Sequence, residues 1–199
     1  MLCWLRNKVI RILLLCCLVN VIHAQPPRDI SFSSVAPIKL WDAWKKQETT
    51  INNSTKMKLL VLLSPECPMS VNYTLTLNQI NEKFREQLDI TGIIPGRTWK
   101  DETVIRFSSD HKLEYPLLVD KELWITRMIK GEVTPEVFLF NAEGELVYSG
   151  AIDNWLTELG KKKQKPDAFY LRDAIEATQT GMPVRVKYVK AQGCLVNDY

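Results

Sequence analysis

The sequence predicts an α/β fold in which a central mixed β-sheet carries helices on both faces. Three observations lead there. The runs KMKLLVLLS (56–64) and LDITGIIP (88–95) are short and almost wholly apolar, as in strands buried on both faces. Between them, MSVNYTLTLNQINEKFREQL (69–88) sets Leu77, Ile80, Phe84 and Leu88 at helical spacing with charges between. Further on, VTPEVFLFNAEGELVYSGAIDN (133–154) reads as two strands joined by the turn NAEG, the second alternating in a way that suits antiparallel pairing with the first. A strand–helix–strand unit followed by a hairpin and a closing helix makes one layered α/β unit.

The elements follow in order. Residues 1–24 have the layout of a secretory signal peptide: basic Arg6, Lys8 and Arg11, an apolar stretch from Ile12 to Ile22, then Ala24. That stretch is short for a membrane span, so no stable span is expected after cleavage, and an exported, periplasmic or extracellular, location follows. Residues 25–36, beginning QPPRDISFSSV, read as an extended lead-in to a domain covering 37–199 with a C-terminal helix and tail. IKLWDAWKKQET (38–49) places Ile38, Trp41 and Trp44 on one helical face. WKDETVIRFSSDHKL (99–113) looks helical, YPLLVD (115–120) extended, and KELWITRMIKG (121–131) a helix ended by Gly131. KKKQK (161–165) is expected as a solvated loop before the helix PDAFYLRDAIEATQTG (166–181), and Pro183 and Val184 open an extended tail holding GCLVN. Asn52, Asn53 and Asn72 each begin an Asn-x-Ser/Thr triplet, a motif that chance also produces.

Cleavage alters the bulk numbers. It removes three basic residues and no acidic one, so 26 basic residues fall to match the 23 acidic ones and nucleic acid is not an expected partner. Of five cysteines only Cys67 and Cys194 remain, facing an oxidising compartment in which pairing with each other is one open outcome. The first strand ends in SPEC, so Cys67 stands at a strand's carboxyl edge where a helix begins, the place at which α/β sheets carry their sites. There a thiol feels the positive end of the helix macrodipole and the unpaired N–H groups, which favour the thiolate that exchange chemistry needs. Pro68 suits the first helical position, where its missing N–H is not needed. Ser70, one turn in, is placed to offer its hydroxyl to the sulfur. The expectation depends on a Cys67 sulfur that is ionisable and open to solvent; the alternative is a buried, inert cysteine.

SPECPMSVNY (64–73), the segment 133–154 and the tail LRDAIEATQTGMPVRVKYVKAQGCLV (171–196) together resemble the thioredoxin-fold redoxins of the alkyl hydroperoxide reductase and thiol-specific antioxidant group. The resemblance spans roughly residues 35–196. It implies a nucleophilic Cys67, a cis-proline at Pro135 after Thr134 that docks an extended substrate chain, and an exported thiol–disulfide oxidoreductase. The turn is Cys67-Pro68-Met69-Ser70, so Ser70 cannot close a local disulfide of the thioredoxin kind. Cys194 is therefore the candidate resolving thiol, or else a structural staple or a free thiol. Ser64 stands where peroxide-reducing relatives carry threonine, which keeps a thiol peroxidase as the second reading. A non-enzymatic module holding Cu(I) through Cys67 and Cys194 is the third.

Glu136 is read either as a proton carrier beside the site or as a solvent-facing strand cap. His111 is expected at the surface, Arg97 and Arg127 are candidates to steady a thiolate, and Trp41, Trp44, Trp99, Trp124 and Trp155 are expected in the core or at its rim. No metal ion or organic cofactor is implied. The expected partners are protein or small-molecule disulfides, or peroxide, with an electron-donating redox protein to restore the thiols.

Overall fold

The structure is a computed structural model, and it describes residues 29–158 and 161–196. The expected signal segment lies outside the described residues, among which no helix is long and apolar enough to cross a membrane.

Among the described residues, twelve strands and five helices follow one another along the chain. A short helix α1 (Phe32–Val35) precedes β1 (Leu40–Asp42), β2 (Gln47–Thr49) and β3 (Met57–Leu62). Then come α2 (Pro68–Phe84), β4 (Leu88–Pro95), α3 (Asp101–Asp110), β5 (Leu117–Asp120) and α4 (Trp124–Met128). β6 (Val133–Thr134) leads into the hairpin of β7 (Glu136–Phe140) and β8 (Leu146–Gly150). β9 (Leu156–Glu158), β10 (Lys161–Lys162), α5 (Tyr170–Gln179), β11 (Tyr188–Val189) and β12 (Cys194–Leu195) complete the described chain.

Eight strands form one mixed sheet in the order β11-β8-β7-β3-β4-β5-β1-β2. β3 lies at its middle, parallel to β4 and antiparallel to β7, and all six of its residues are buried. Its alternate residues serve different layers. Leu59, Val61 and Leu63 meet Tyr73, Leu77, Ile80 and Phe84 of α2 and Leu171 and Ile175 of α5. Leu60 and Leu62 face α1 and α4 through Phe32, Val35, Ile125 and Ile129. A strand so enclosed has no polar face, which is why its sequence is apolar from Leu59 onward, while Lys58 near its start is buried with its Nζ donating to Ser54 O and Lys56 O.

Several expectations need correction. Residues 38–49 form the β1–β2 hairpin, not a helix: Asp42 Oδ1 accepts from the N–H groups of Trp44 and Lys45, and Lys46 takes a φ of 52°. An aspartate that turns the backbone this way competes with helix formation. The lead-in is not wholly extended, since Phe32 and Val35 are buried under the sheet. Leu88 starts β4 and does not extend α2, which stops at Phe84. The helix expected at 121–131 shrinks to five residues, because Leu123 is left-handed at φ 57° and Asp120 takes the N–H groups of Trp124 and Thr126. Lys161 and Lys162 are exposed, as a solvated loop requires, yet they pair with β9. Trp44 and Trp124 are not core residues; both are more than half exposed.

Candidate functional site

The carboxyl end of β3 passes into Ser64, Pro65, Glu66 and Cys67. The Cys67 N–H donates to Ser64 O at 3.1 Å and closes this turn. The Ser64 N–H donates to Ser70 Oγ at 3.1 Å, so the fully buried Ser70 ties the first turn of α2 back to the strand end. Cys67 is the N-cap of α2 and Pro68 its first residue. The hydroxyl expected to serve the sulfur is thus engaged with the backbone of Ser64.

A second piece arrives from the neighbouring strand. β7 pairs with β3 in a register that sets Glu136 opposite Leu62, which carries β6 and the cis Thr134–Pro135 peptide alongside Cys67. Cys67 Sγ lies 3.0 Å from Thr134 O. A disulfide sulfur holds no proton, so in this state the approach is a contact; a reduced thiol there can donate to the carbonyl.

The tail supplies the third piece. β11 runs parallel to β8, held by Ser149 N–H to Lys187 O at 3.0 Å and Ala151 N–H to Val189 O at 2.9 Å. The chain then crosses over, and β12 pairs antiparallel with β6, Cys194 against Thr134 and Leu195 against Val133. Val196 N–H donates to Glu132 O at 3.0 Å. Cys194 is disulfide-bonded to Cys67 across a sequence separation of 127, with 5.9 Å between the two Cα atoms. Of the outcomes open to the two cysteines, pairing with each other is the one this structure contains.

The expected solvent-open sulfur is not found: Cys67 is 2% exposed. The sulfur is bonded to Cys194 of the tail and touched by Thr134 O. A cleft of about 290 Å³ runs along the two cysteines, walled by Ser64 and Glu66, by Thr98 and Trp99, and by Leu195 and Val196.

The other candidates divide. Ser64 and Thr134 line the cleft. Glu136 does not cap a strand in solvent; it is 3% exposed and its carboxylate accepts from the Glu132 N–H at 2.9 Å, which steadies the approach to β6. Arg97 pairs with Glu122 and Arg127 is exposed, and neither lines the cleft. His111 ends α3 with its ring 5.0 Å from that of Phe107, also away from the cleft. Tyr73 and Asp153 line a small cavity with Pro135 and Ala191. The Tyr73 hydroxyl donates to Asp153 Oδ1 at 2.6 Å, and burial, helped by that acceptor, pushes its phenol well above the ordinary range. Among the described residues no group of three or more His, Cys, Asp or Glu could hold a metal ion.

Sequence reasoning missed Trp99 and Gly193 as site residues. Trp99 reaches the cleft because its indole N–H donates to Pro95 O at 2.8 Å beyond the end of β4. Gly193 precedes Cys194 in plain view, but only the folded chain shows what it approaches: a Cβ there would sit 2.7 Å from the carbonyl carbon of Thr134, closer than real side chains come.

No family model matches the chain, and no curated protein matches it. Solved structures do. An uncharacterised conserved protein from Geobacillus kaustophilus is 16% identical, with a TM-score of 0.73 over 89% of this chain and 94% of that one. A secreted Mycobacterium tuberculosis disulfide oxidoreductase homologous to Escherichia coli DsbE is 14% identical, with a TM-score of 0.53 over 75% of this chain and 98% of that one. The bacterioferritin comigratory protein of Xanthomonas campestris, described for alkyl peroxide reduction, is 15% identical, with a TM-score of 0.56 over 78% of this chain and 99% of that one. At these identities the likeness establishes a thioredoxin-like fold, as the sequence resemblance implies.

Proposed function

We propose that this thioredoxin-like chain is an exported thiol–disulfide oxidoreductase with Cys67 as nucleophile and Cys194 as resolving thiol. The observation that carries the proposal is the meeting of two cysteines, 127 positions apart, in one bond beside the Thr134–Pro135 edge. A disulfide also suits an oxidising compartment outside the cytosol.

In the reduced state the Cys67 thiolate, at the N-terminus of α2, attacks one sulfur of a substrate disulfide. The substrate bond breaks, its second sulfur leaves as a thiolate and takes a proton from water, and a mixed disulfide remains on Cys67. The Cys194 thiolate then attacks the Cys67 sulfur, freeing the first substrate thiol and forming the Cys67–Cys194 bond. Two electrons have passed from the protein to the substrate, and an external dithiol returns them. Ser70, Ser64 and Pro68 set the turn that presents the nucleophile; Thr134, Pro135 and Glu136 form and support the edge on which the substrate chain lies. Ser64 in the cleft favours one second reading, in which Cys67 attacks a peroxide, becomes a sulfenic acid and condenses with Cys194, releasing water.

Dithiol-driven reduction of insulin disulfides tests the first reading. Cys67→Ser should abolish turnover, and Cys194→Ser should accumulate a mixed disulfide mapped to Cys67 by mass spectrometry. Full turnover in Cys67→Ser would end the proposal. Rapid sulfenic acid labelling of Cys67 after peroxide, without insulin reduction, would transfer it to the second reading.

A further inference from the structure

β12 lies on β6 as a foreign peptide lies on an open sheet edge. Its backbone pairs with Thr134 and Val133, Val196 N–H reaches Glu132 O, Cys194 turns to Cys67, and Leu195 points outward at 71% exposed. Val196 turns back in and is 8% exposed. The preceding anchorage on β8 ends at Val189, and Lys190–Gln192, with Ala191 buried, links it to the docked end of the chain. Among the described residues, the tail's hold on β6 apart from the disulfide is a two-residue ladder, its flanking hydrogen bond and the bond from the Thr134 hydroxyl to Cys194 O at 3.5 Å. At Gly193 the strand comes so close to Thr134 that a side chain of any size would collide with its backbone carbonyl.

We propose that the β6 edge binds an extended substrate segment whose reactive cysteine is immediately preceded by glycine, and that Gly193–Val196 is the site's built-in occupant. The inference rests on the reading of Cys67 as an exchanging thiol and specifies what that thiol selects. Reduction of the Cys67–Cys194 bond by a dithiol lets β12 leave, and a substrate segment takes its register with its own cysteine facing Cys67. The residue before that cysteine meets the Thr134 carbonyl and must be glycine. The residue after it faces solvent as Leu195 does and is free to vary. When Cys194 attacks the Cys67 sulfur, the substrate sulfur leaves as a thiolate and is protonated by water, while the returning tail takes over the pairing with β6. Resolution of the mixed disulfide and expulsion of the product are then the same event.

The full chain carrying Cys194→Ser offers Cys67 as a free thiol, with the tail no longer bonded to it but still able to pair with β6. It is mixed with short peptides Xaa-Cys-Leu-Val, activated at cysteine as the nitrothiobenzoate disulfide, with Xaa as Gly, Ala or Val. Release of the coloured thiol gives the rate, and peptide mapping confirms the adduct at Cys67. The glycine peptide should react about tenfold faster or more than the other two, since a misfit against backbone excludes them. Adding Gly193→Val to this background should raise the rate of the glycine peptide, because the tail can no longer compete. Equal rates for the three peptides would overturn the inference, and an unchanged rate in the double variant would remove the built-in occupant. The symmetric aromatic disulfide of the same nitrothiobenzoate, which has no backbone to dock, separates the two layers. Failure of Cys67 to react even with it defeats the oxidoreductase reading, whereas reaction with it but no discrimination among peptides defeats only the docking.

Discussion

The carbonyl oxygen of Thr134 lies 3.0 Å from the sulfur of Cys67, and the hydroxyl of the same residue donates to the carbonyl of Cys194 at 3.5 Å. Thr134 therefore touches both cysteines with different atoms. The β3–β7 register delivers the first contact and the β6–β12 pairing the second. A buried residue held from two sides fixes where the sulfurs meet, and the consequences can be measured.

The first concerns stability. Closing a loop between residues 127 apart restricts the unfolded chain by about 4–5 kcal/mol in the entropic model. Urea unfolding should show a clear fall in midpoint on reduction, with Cys67→Ser and Cys194→Ser both matching the reduced protein. The losses should not add in the double variant, because either change removes the same bond. An unchanged midpoint on reduction would mean that the tail constrains little.

Ser70 offers a second. Its Oγ, in a residue with no exposed surface, accepts the Ser64 N–H. Ser70→Ala strands that donor at the base of the site and should cost about 1–3 kcal/mol. If Ser70 also positions Cys67, alkylation of the reduced thiol should slow in the folded variant under conditions where both proteins remain native. Loss of stability with unchanged alkylation would confine Ser70 to structure.

How much of this was legible depends on range. β3 and β4 announce themselves because both faces are covered, and α2 because Leu77, Ile80 and Phe84 share one face. Cys67 and Pro68 could be placed at a strand–helix junction by local chemistry alone. The β1–β2 hairpin was hidden because Trp41 and Trp44 fit a helical period, while the deciding interaction is the turn made by Asp42. The docking of β12 on β6 was hidden for a different reason. A two-residue pairing between distant segments leaves no periodicity, and Gly193 shows its purpose only when the Thr134 carbonyl stands beside it.

Glu136 gives a third test. Its carboxylate accepts the Glu132 N–H on the approach to β6, the role of a positioning group. Glu136→Gln keeps an oxygen there and should leave the pH–rate profile of disulfide reduction superimposable on that of the parent. Glu136→Leu should lower stability by about 1–3 kcal/mol and raise KM for a peptide substrate by loosening the edge. A flattened pH profile in the glutamine variant would instead make Glu136 a proton carrier.

Tyr73, Tyr115 and Tyr148 make a fourth, because burial pushes all three phenols well above their ordinary value of 10.0. Above pH 10 the unfolded chain releases protons that the native chain retains, so the stability tied to these groups is complete below that pH and falls as pH rises. Their phenolate absorbance should appear together with the loss of native circular dichroism, and each Tyr→Phe variant should reduce that late amplitude. Tyr73→Phe and Tyr115→Phe should differ in their effect on stability. Tyr73 donates to buried Asp153, so Tyr73→Phe removes a hydrogen bond to a carboxylate and should cost about 1.5–3 kcal/mol. The Tyr115 hydroxyl is buried with no protein hydrogen-bond partner among the described residues, so Tyr115→Phe removes a desolvated polar group and should be neutral or stabilising by about 1 kcal/mol. Equal destabilisation by the two substitutions would mean that packing around the rings outweighs the hydroxyls.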